Sequence, residues 1–363
     1  MCNLIKDAYF SKSFYWLGES LDHCFGCQYC RAIPNKKSSY SRLPSDVNPN
    51  FTNLPVVINL FYGDPLLQVD TTKRYLELLE EAKHKGPIII ITKGNLDALG
   101  EFSYDLNINI ALSTIGKYHS IDKVSMHNFV NNIELLHKLP KVKFSCEFRP
   151  IMYGVNDSRE VIDNLFEICS RNKLPIGYSG IQGQPDLVQY WKDNNIDLKP
   201  FPGYKFSVKK PISQECFDII KDCSEKYGVP IFKKTSCLVS YTNGLGRDYN
   251  AHYYRPNEMN CSDCVMNATC SKFKNSLSSN AENLNSVIPF DFEIVHRINH
   301  KCLMHSTCPN PHPDCTKIAG YLVKIDEKIT TTDVRVIKWL TGYTVIAPFY
   351  ESNFVSKKWY RRI

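Results

Sequence analysis

Three cysteines lie within a seven-residue window near the start of the chain, at Cys24, Cys27 and Cys30. Thiolates at such short spacing are usually metal ligands. A structural zinc site needs four ligands, and the one other local donor, His23, is adjacent to Cys24, which makes tetrahedral coordination by both awkward. Three ligands leave one position open, and an iron–sulfur cluster with an open iron can bind a second molecule there. The loop therefore predicts an iron–sulfur cluster, with zinc as the alternative.

Two more cysteine groups lie in the later part of the chain. The first, Cys261, Cys264 and Cys270, has the short spacing of metal ligands, for zinc or for an iron–sulfur cluster. The second is spaced more widely and has two histidines between its cysteines; its members are Cys302, His305, Cys308, His312 and Cys315. This second group could hold a third cluster or zinc, or could be reduced cysteines in a proline-rich loop.

The composition is that of a folded protein, with 363 residues of which 43% are hydrophobic and 12% aromatic. Its net charge of +7 permits an acidic partner without requiring one. The 15 cysteines are an odd number, and the N-terminus lacks the continuous apolar core of a signal peptide, which argues against a disulfide framework. No apolar stretch approaches the length of a membrane span. The sequence predicts a cytoplasmic protein without a membrane partner.

The elements that must position these groups alternate between strand and helix over about the first 230 residues. Short apolar runs predict strands with helical stripes between them, and the strands are Leu54–Phe61, Ile88–Thr92, Asn107–Ser113, Val142–Ile151 and Pro175–Ile181. A repeated βα pattern means parallel strands joined by helical crossovers. The sheet can close into a full or partial barrel or stay open, and periodicity does not choose between them.

Beyond about residue 200 the alternation fades. Loop-rich sequence surrounds the cysteines from Cys237 to Cys270, and a polar linker follows over Lys272–Asn285. Short strands after that linker predict a small basic α+β module that ends in KKWYRRI. The chain therefore divides into three predicted regions, residues 1–230, 231–284 and 285–363.

The cysteine loop has an aromatic residue, Tyr29, before its last cysteine and precedes the βα units, and in this it resembles the radical S-adenosylmethionine (SAM) superfamily. The usual spacing there is C-x3-C-x2-C, whereas this chain has C-x2-C-x2-C, with His23 where the first cysteine normally lies. The resemblance implies an α/β fold with a partial (β/α)6 parallel barrel. It also implies a [4Fe-4S] cluster held by Cys24, Cys27 and Cys30, with SAM bound at the fourth iron.

Other positions resemble the family in the order expected, and all of them follow or end predicted strands, where such folds bind ligands. Gly63 and Asp64 would hold the methionine end of SAM, as in a Gly-Gly-Glu-like motif. The Lys93 and Arg149 segments resemble spore photoproduct lyase-like members. The full set implied as cofactor-binding is Tyr62, Gly63, Asp64, Pro65, Lys93, Ser113, Glu147, Arg149 and Ile181. Within it, Lys93, Ser113 and Arg149 would contact carboxylate and ribose, and Ile181 would pack on adenine.

The Cys261–Cys270 group resembles the auxiliary-cluster regions, of SPASM or twitch type, that follow the barrel in many of these enzymes. Such regions draw a further cysteine from upstream, and Cys237 is the candidate. Four thiolates would hold a second [4Fe-4S] cluster, with zinc as the alternative.

The resemblance implies an enzyme that cleaves SAM reductively and uses the 5′-deoxyadenosyl radical to abstract hydrogen from a substrate. An electron donor such as flavodoxin or ferredoxin would be a partner. A peptide or protein is the favoured substrate. A nucleic acid or nucleotide is the alternative, because the lysines, arginines and tryptophans of the C-terminal module could contact phosphates and stack bases. A zinc-binding, non-enzymatic nucleic-acid-binding protein is the alternative from a different class.

Overall fold

The computed structural model describes residues 15–17, 25, 27–30, 54–58, 63–100, 103–181, 185–198, 211–249, 261, 263–271, 284–285, 287–296, 321–342, 344–350, 356 and 358. Its main feature is a parallel sheet of seven strands paired in sequential order. The strands are β1 (Tyr15–Leu17), β2 (Val56–Ile58), β3 (Ile88–Thr92), β4 (Ile108–Thr114), β5 (Lys143–Ile151), β6 (Ile176–Gly180) and β7 (Ile231–Phe232). The predicted parallel α/β class is therefore confirmed.

Helices connect these strands, and all of them except the fourth cover one face of the sheet. They are α1 (Val69–Glu81), α2 (Ser125–Leu135), α3 (Arg159–Arg171), α4 (Pro185–Asp193) and α5 (Gln214–Tyr227). Each has a stripe of apolar residues; in α1 the buried stripe includes Tyr75, Leu76 and Leu79. The stripes of α1, α2, α3 and α5 pack on alternate strand residues such as Ile88 and Ile90, which are fully buried, whereas Leu187 and Trp191 of α4 pack with Cys27 and Tyr29. Sequential strand order with crossovers of one hand places successive helices on the same face.

The opposite face of the sheet is more polar. The register aligns Val57 with Ile89 and Asn109, and aligns Ser113 with Glu147 and Gly177. Because paired residues in neighbouring strands point to the same side, these six share one face. We call it the inner face.

A helix after β7 covers the inner face, α6 (Thr235–Thr242). Its Val239 packs with Val57, Ile89 and Tyr249 in one apolar cluster. A Cβ added to Gly177 would lie 2.8 Å from Leu238 Cδ2, so the glycine leaves room for this helix.

The predicted fading of the alternation after residue 200 is wrong, because α5 and β7 continue it. Ser213 caps α5 by accepting a hydrogen bond from the N–H of Cys216, and Gly228 ends the helix in a left-handed conformation. The predicted loop around Cys237 is likewise a helix in part. Leu238, Val239 and Ser240 are consecutive and all buried. A helix buried on several sides shows no periodic stripe, so the sequence pattern did not reveal it.

The described residues of the C-terminal part include five further strands and a helix. They are β8 (Glu293–His296), β9 (Tyr321–Lys324), β10 (Ile329–Thr330), α7 (Thr331–Thr341), β11 (Thr344–Ile346) and β12 (Phe349–Tyr350). Strand β9 pairs antiparallel with β8 and parallel with β11. Helix α7 begins at a capping box formed by Thr330 and Asp333. Among the helices of the described segments, none has the length and apolar character that crossing a membrane requires.

Candidate functional site

The cysteine loop lies against the carboxyl ends of the strands. Cys27 and Tyr29, each 7% exposed, share an apolar cluster with Ile181, which directly follows β6. The Gln28 backbone is held on both sides, because its N–H donates to the Ile121 carbonyl at 3.0 Å and its carbonyl accepts from Trp191 Nε1 at 3.0 Å. The fold therefore brings the loop to the edge where the candidate cofactor-binding residues lie.

Lys93 extends from the end of β3 to this loop. Its Nζ lies 3.3 Å from Cys27 Sγ, donates to the Tyr29 hydroxyl and lies 4.4 Å from the centre of the Tyr29 ring. It also forms an ion pair with Asp122 Oδ2 at 3.2 Å. The Tyr29 hydroxyl in turn donates to the same carboxylate. Cys27, Tyr29, Lys93 and Asp122 thus form one buried polar cluster, which we call the Lys93 cluster.

In the Lys93 cluster, the attraction between opposite charges offsets part of the free-energy cost of burying them. Burial raises the pKa of the Cys27 thiol to about 11, although the Lys93 ammonium acts to lower it. Burial also acts to raise the pKa of Asp122, but Lys93 and the Tyr29 hydroxyl outweigh it and hold that pKa below its ordinary value. Burial acts to lower the pKa of Lys93, but Cys27 and Asp122 raise it overall. Lys93 and Asp122 are therefore an ion pair at neutral pH.

Asp64 lies beside this cluster, with its carboxylate occupied by internal donors. Oδ1 accepts from the Leu66 N–H at 3.0 Å and from the Thr92 hydroxyl, and Oδ2 accepts from the Lys93 N–H at 2.6 Å. Burial raises the pKa of Asp64. The carboxylate therefore holds the turn after β2 against the end of β3.

Sequence analysis did not identify three polar residues that support the site: Asp122, Asn128 and Asn132. Asn128 Nδ2 donates to the Lys93 carbonyl at 2.6 Å, and Asn132 Nδ2 donates to the Gly94 carbonyl at 2.9 Å. Both asparagines lie on α2, four residues apart, so they share a helix face. Their four-residue spacing was the one sign in the sequence that they could act together. It is a weak sign, because a polar pair on a helix is more often solvent-exposed.

Glu147 and Arg149 lie together on β5, where Arg149 Nε is 2.8 Å from Glu147 Oε2. The Glu147 side chain is 1% exposed and that of Arg149 is 23% exposed. Ser113 is paired with Glu147 in the register and is half-buried. Gly177 on the other side leaves space for the carboxylate, because a Cβ there would lie 2.9 Å from Glu147 Oε2.

Cys237, at the start of α6, comes close to the Cys261–Cys270 segment. Cys237 and Cys264 both pack against the apolar cluster of Phe232, Leu238 and Met266. Burial raises the pKa of Cys237 well above its ordinary value, with further contributions from Asp248, Cys264 and Cys270. Burial also raises the pKa of Cys264, and Cys261 and Cys270 act in the same direction. The four thiols predicted as an auxiliary ligand set therefore share one region.

Some predicted residues lie outside the described residues: His23, Cys24, Tyr62, Cys302, His305, Cys308, His312 and Cys315. Within the described ranges, no three His, Cys, Asp or Glu side chains are close enough to form a metal site. The assembly of the first and third cysteine groups thus stays a prediction. The four auxiliary thiols share one region, but their side chains are not arranged as metal ligands.

No protein-family model matches the chain, and no curated protein matches its sequence. Two crystal structures of Streptococcus suis SuiB match in part. One is 17% identical with a TM-score of 0.40, covering 69% of this chain and 53% of SuiB, so this chain spans about half the length of that protein. The other, SuiB bound to S-adenosylmethionine, is 16% identical with a TM-score of 0.34, covering 71% of this chain and 72% of that one.

Proposed function

We propose that the chain is a radical SAM enzyme, with a [4Fe-4S] cluster on Cys24, Cys27 and Cys30. The observation that carries the proposal is the position of Cys27, whose sulfur lies in the Lys93 cluster at the carboxyl edge of a parallel sheet. The donor set fits the group, because thiolates are the ligands of such clusters. Within this proposal the seven strands form the partial barrel of the superfamily.

When bound, the reduced cluster and SAM supply a 5′-deoxyadenosyl radical that abstracts hydrogen from the substrate. The chain's own residues bind and orient the cofactor and the substrate, and they exclude water. Arg149 is at the open end of β5 and keeps about a quarter of its side chain exposed, so it can contact a carboxylate or ribose while Glu147 fixes its position. Backbone groups of Gly63 and the half-buried Ser113 hydroxyl offer further polar contacts. Ile181 offers an apolar surface beside Cys27 for the adenine.

A second cluster, or zinc, at Cys237, Cys261, Cys264 and Cys270 belongs to the same proposal. Its support is the packing of Cys237 and Cys264 against one apolar cluster that includes Leu238 of α6. An iron–sulfur cluster there would accept an electron from the product radical or anchor the substrate. Flavodoxin or ferredoxin would supply the electron that starts the reaction, as a partner of the proposed enzyme. We propose a peptide or protein as substrate, with a nucleic acid or nucleotide as the alternative.

The test is the formation of 5′-deoxyadenosine by anaerobically purified protein given SAM and dithionite. We expect brown protein that absorbs broadly near 400 nm and forms 5′-deoxyadenosine. Cys27→Ala should abolish that product. Cys146→Ala is the matched control, since Cys146 is fully buried on β5 and faces the helices. Its product yield should stay within a few-fold of wild type.

The same preparation separates the alternatives. Colourless wild-type protein that holds zinc and forms no 5′-deoxyadenosine would support a zinc-binding, non-enzymatic protein instead. An unchanged product yield in Cys27→Ala would refute the assignment of the first cluster. Stimulation of SAM cleavage by added peptides or by single-stranded nucleic acid would decide between the two substrate classes.

A further inference from the structure

The Lys93 ammonium and the Asp122 carboxylate are a pair of opposite charges directly beside the sulfur of Cys27. The ammonium lies 3.3 Å from Cys27 Sγ and 3.2 Å from Asp122 Oδ2. The side chain of Asp122 is 0% exposed and that of Lys93 is 17% exposed. Charges removed from water in this way act on one another more strongly than they would at the surface.

Hydrogen bonds that involve backbone groups hold both Lys93 and Asp122 in place. The Lys93 N–H donates to Asp64 at 2.6 Å, and its carbonyl accepts from Asn128 Nδ2 at 2.6 Å. Asp122 Oδ1 accepts from the N–H of Ser125 at 3.0 Å. The backbone from which Lys93 extends is therefore fixed, and the contacts of its ammonium with Asp122 and the Tyr29 hydroxyl orient it beside the Cys27 sulfur.

Such a cation acts on whatever redox group the sulfur holds. A hydrogen bond or a positive charge at a ligating thiolate stabilises the more negative, reduced state, and a carboxylate does the opposite. Lys93 donates to the sulfur directly, whereas Asp122 lies behind Lys93 and compensates part of its charge. The two residues should therefore shift a reduction potential in opposite directions.

We propose that Lys93 and Asp122 set the reduction potential of the iron–sulfur cluster bound through Cys27, with Lys93 raising the potential and Asp122 lowering it. This inference rests on the proposed function, since it requires a redox-active group at that cysteine. The reduction is the uptake of one electron from an external low-potential donor, and it makes or breaks no bond to either residue. Lys93 and Asp122 are thus positioning residues that act through Cys27.

The experiment is an anaerobic redox titration of the purified holoprotein, followed by electron paramagnetic resonance of the reduced cluster. In Lys93→Met the midpoint potential should shift to a more negative value, because the cation is lost. In Asp122→Asn it should shift to a more positive value, because Lys93 is no longer compensated. Lys123→Met is the matched control, since this exposed lysine lies next to Asp122 in the same loop, and its potential should equal that of wild type.

Iron and sulfide analysis accompanies each titration, so that two failures can be told apart. Wild type without iron would refute the proposed function itself. Wild type with iron, but with Lys93→Met and Asp122→Asn shifted in the same direction or no further than Lys123→Met, would overturn this inference alone. If Lys93→Met loses its iron, Lys93→Gln keeps a donor without the charge and should still show a negative shift, because the cation is lost. If both lose iron, the sign of the Asp122→Asn shift decides.

Discussion

The carboxylate of Asp64 joins the ends of two neighbouring strands, because its Oδ2 accepts a hydrogen bond from the backbone N–H of Lys93 at 2.6 Å. Its other oxygen accepts from Leu66 and Thr92, so Asp64 links the turn after β2 to the end of β3. With both oxygens occupied and 8% of the residue exposed, Asp64 acts on the site by positioning Lys93.

Replacing Asp64 by Asn should destabilise the protein by about 1–3 kcal/mol, because an amide NH2 would face a buried donor. The measurement is the free energy of unfolding in urea. Asp105→Asn is the control, since Asp105 is exposed, and its effect should stay within about 0.5 kcal/mol. Equal stability of the two variants would contradict the positioning role of Asp64.

The ion pair on β5 allows a second prediction. Arg149→Met leaves the Glu147 carboxylate buried without its cation, which should cost roughly 3 kcal/mol of unfolding free energy. Adding Glu147→Gln should restore part of this loss, since the buried charge is removed. Denaturant unfolding of both single variants and the double variant measures the coupling. Simple addition of the two single effects would mean that the residues do not interact.

The sequence predicted best those elements whose apolar pattern is strong and local. Ile88–Thr92 forms a strand with the predicted bounds, because its buried side chains follow a Gly-Pro pair that ends the preceding segment. The helix containing Ile162 and Phe166 has its apolar residues at helical spacing and packs as expected. By contrast, β1 has three residues, too few for a periodic signal.

The candidate cofactor-binding residues could be predicted because they end strands, but the contacts that support them could not. Lys93 was singled out because it ends a strand. Its partner Asp122 lies 29 positions away in a loop, and the Tyr29 hydroxyl that joins them is 93 positions from Asp122. Such contacts depend on the register of the folded sheet. No local pattern carries them, and a single sequence therefore cannot show them.

The auxiliary region gives a third prediction, for metal content. Cys237→Ser should lower the metal bound by the anaerobically purified protein by the amount held at the second site, because Cys237 and Cys264 pack against the same apolar cluster. Cys216→Ser is the matched control, since Cys216 is also a buried cysteine near a helix start but lies on α5. Its metal content should equal that of wild type. Equal metal in both variants would remove Cys237 from the ligand set.

The last prediction concerns His84, which is 4% exposed and lies between α1 and β3, next to the amino end of the strand. Neither of its ring nitrogens has a hydrogen-bond partner within the described part of the chain. Burial lowers the pKa of His84 to about 4, from an ordinary value of 6.5. Between these two pH values the unfolded chain therefore binds a proton that the folded protein does not.

Acid should accordingly destabilise the protein through His84. The free energy of unfolding should fall as the pH drops from about 6.5 to about 4, by roughly 3 kcal/mol in total from this residue. Urea unfolding at a series of pH values measures the slope. In His84→Phe the slope in this window should decrease, while in His127→Gln, an exposed histidine on α2, it should stay as in wild type. An unchanged slope in His84→Phe would show that His84 is already protonated in the folded protein.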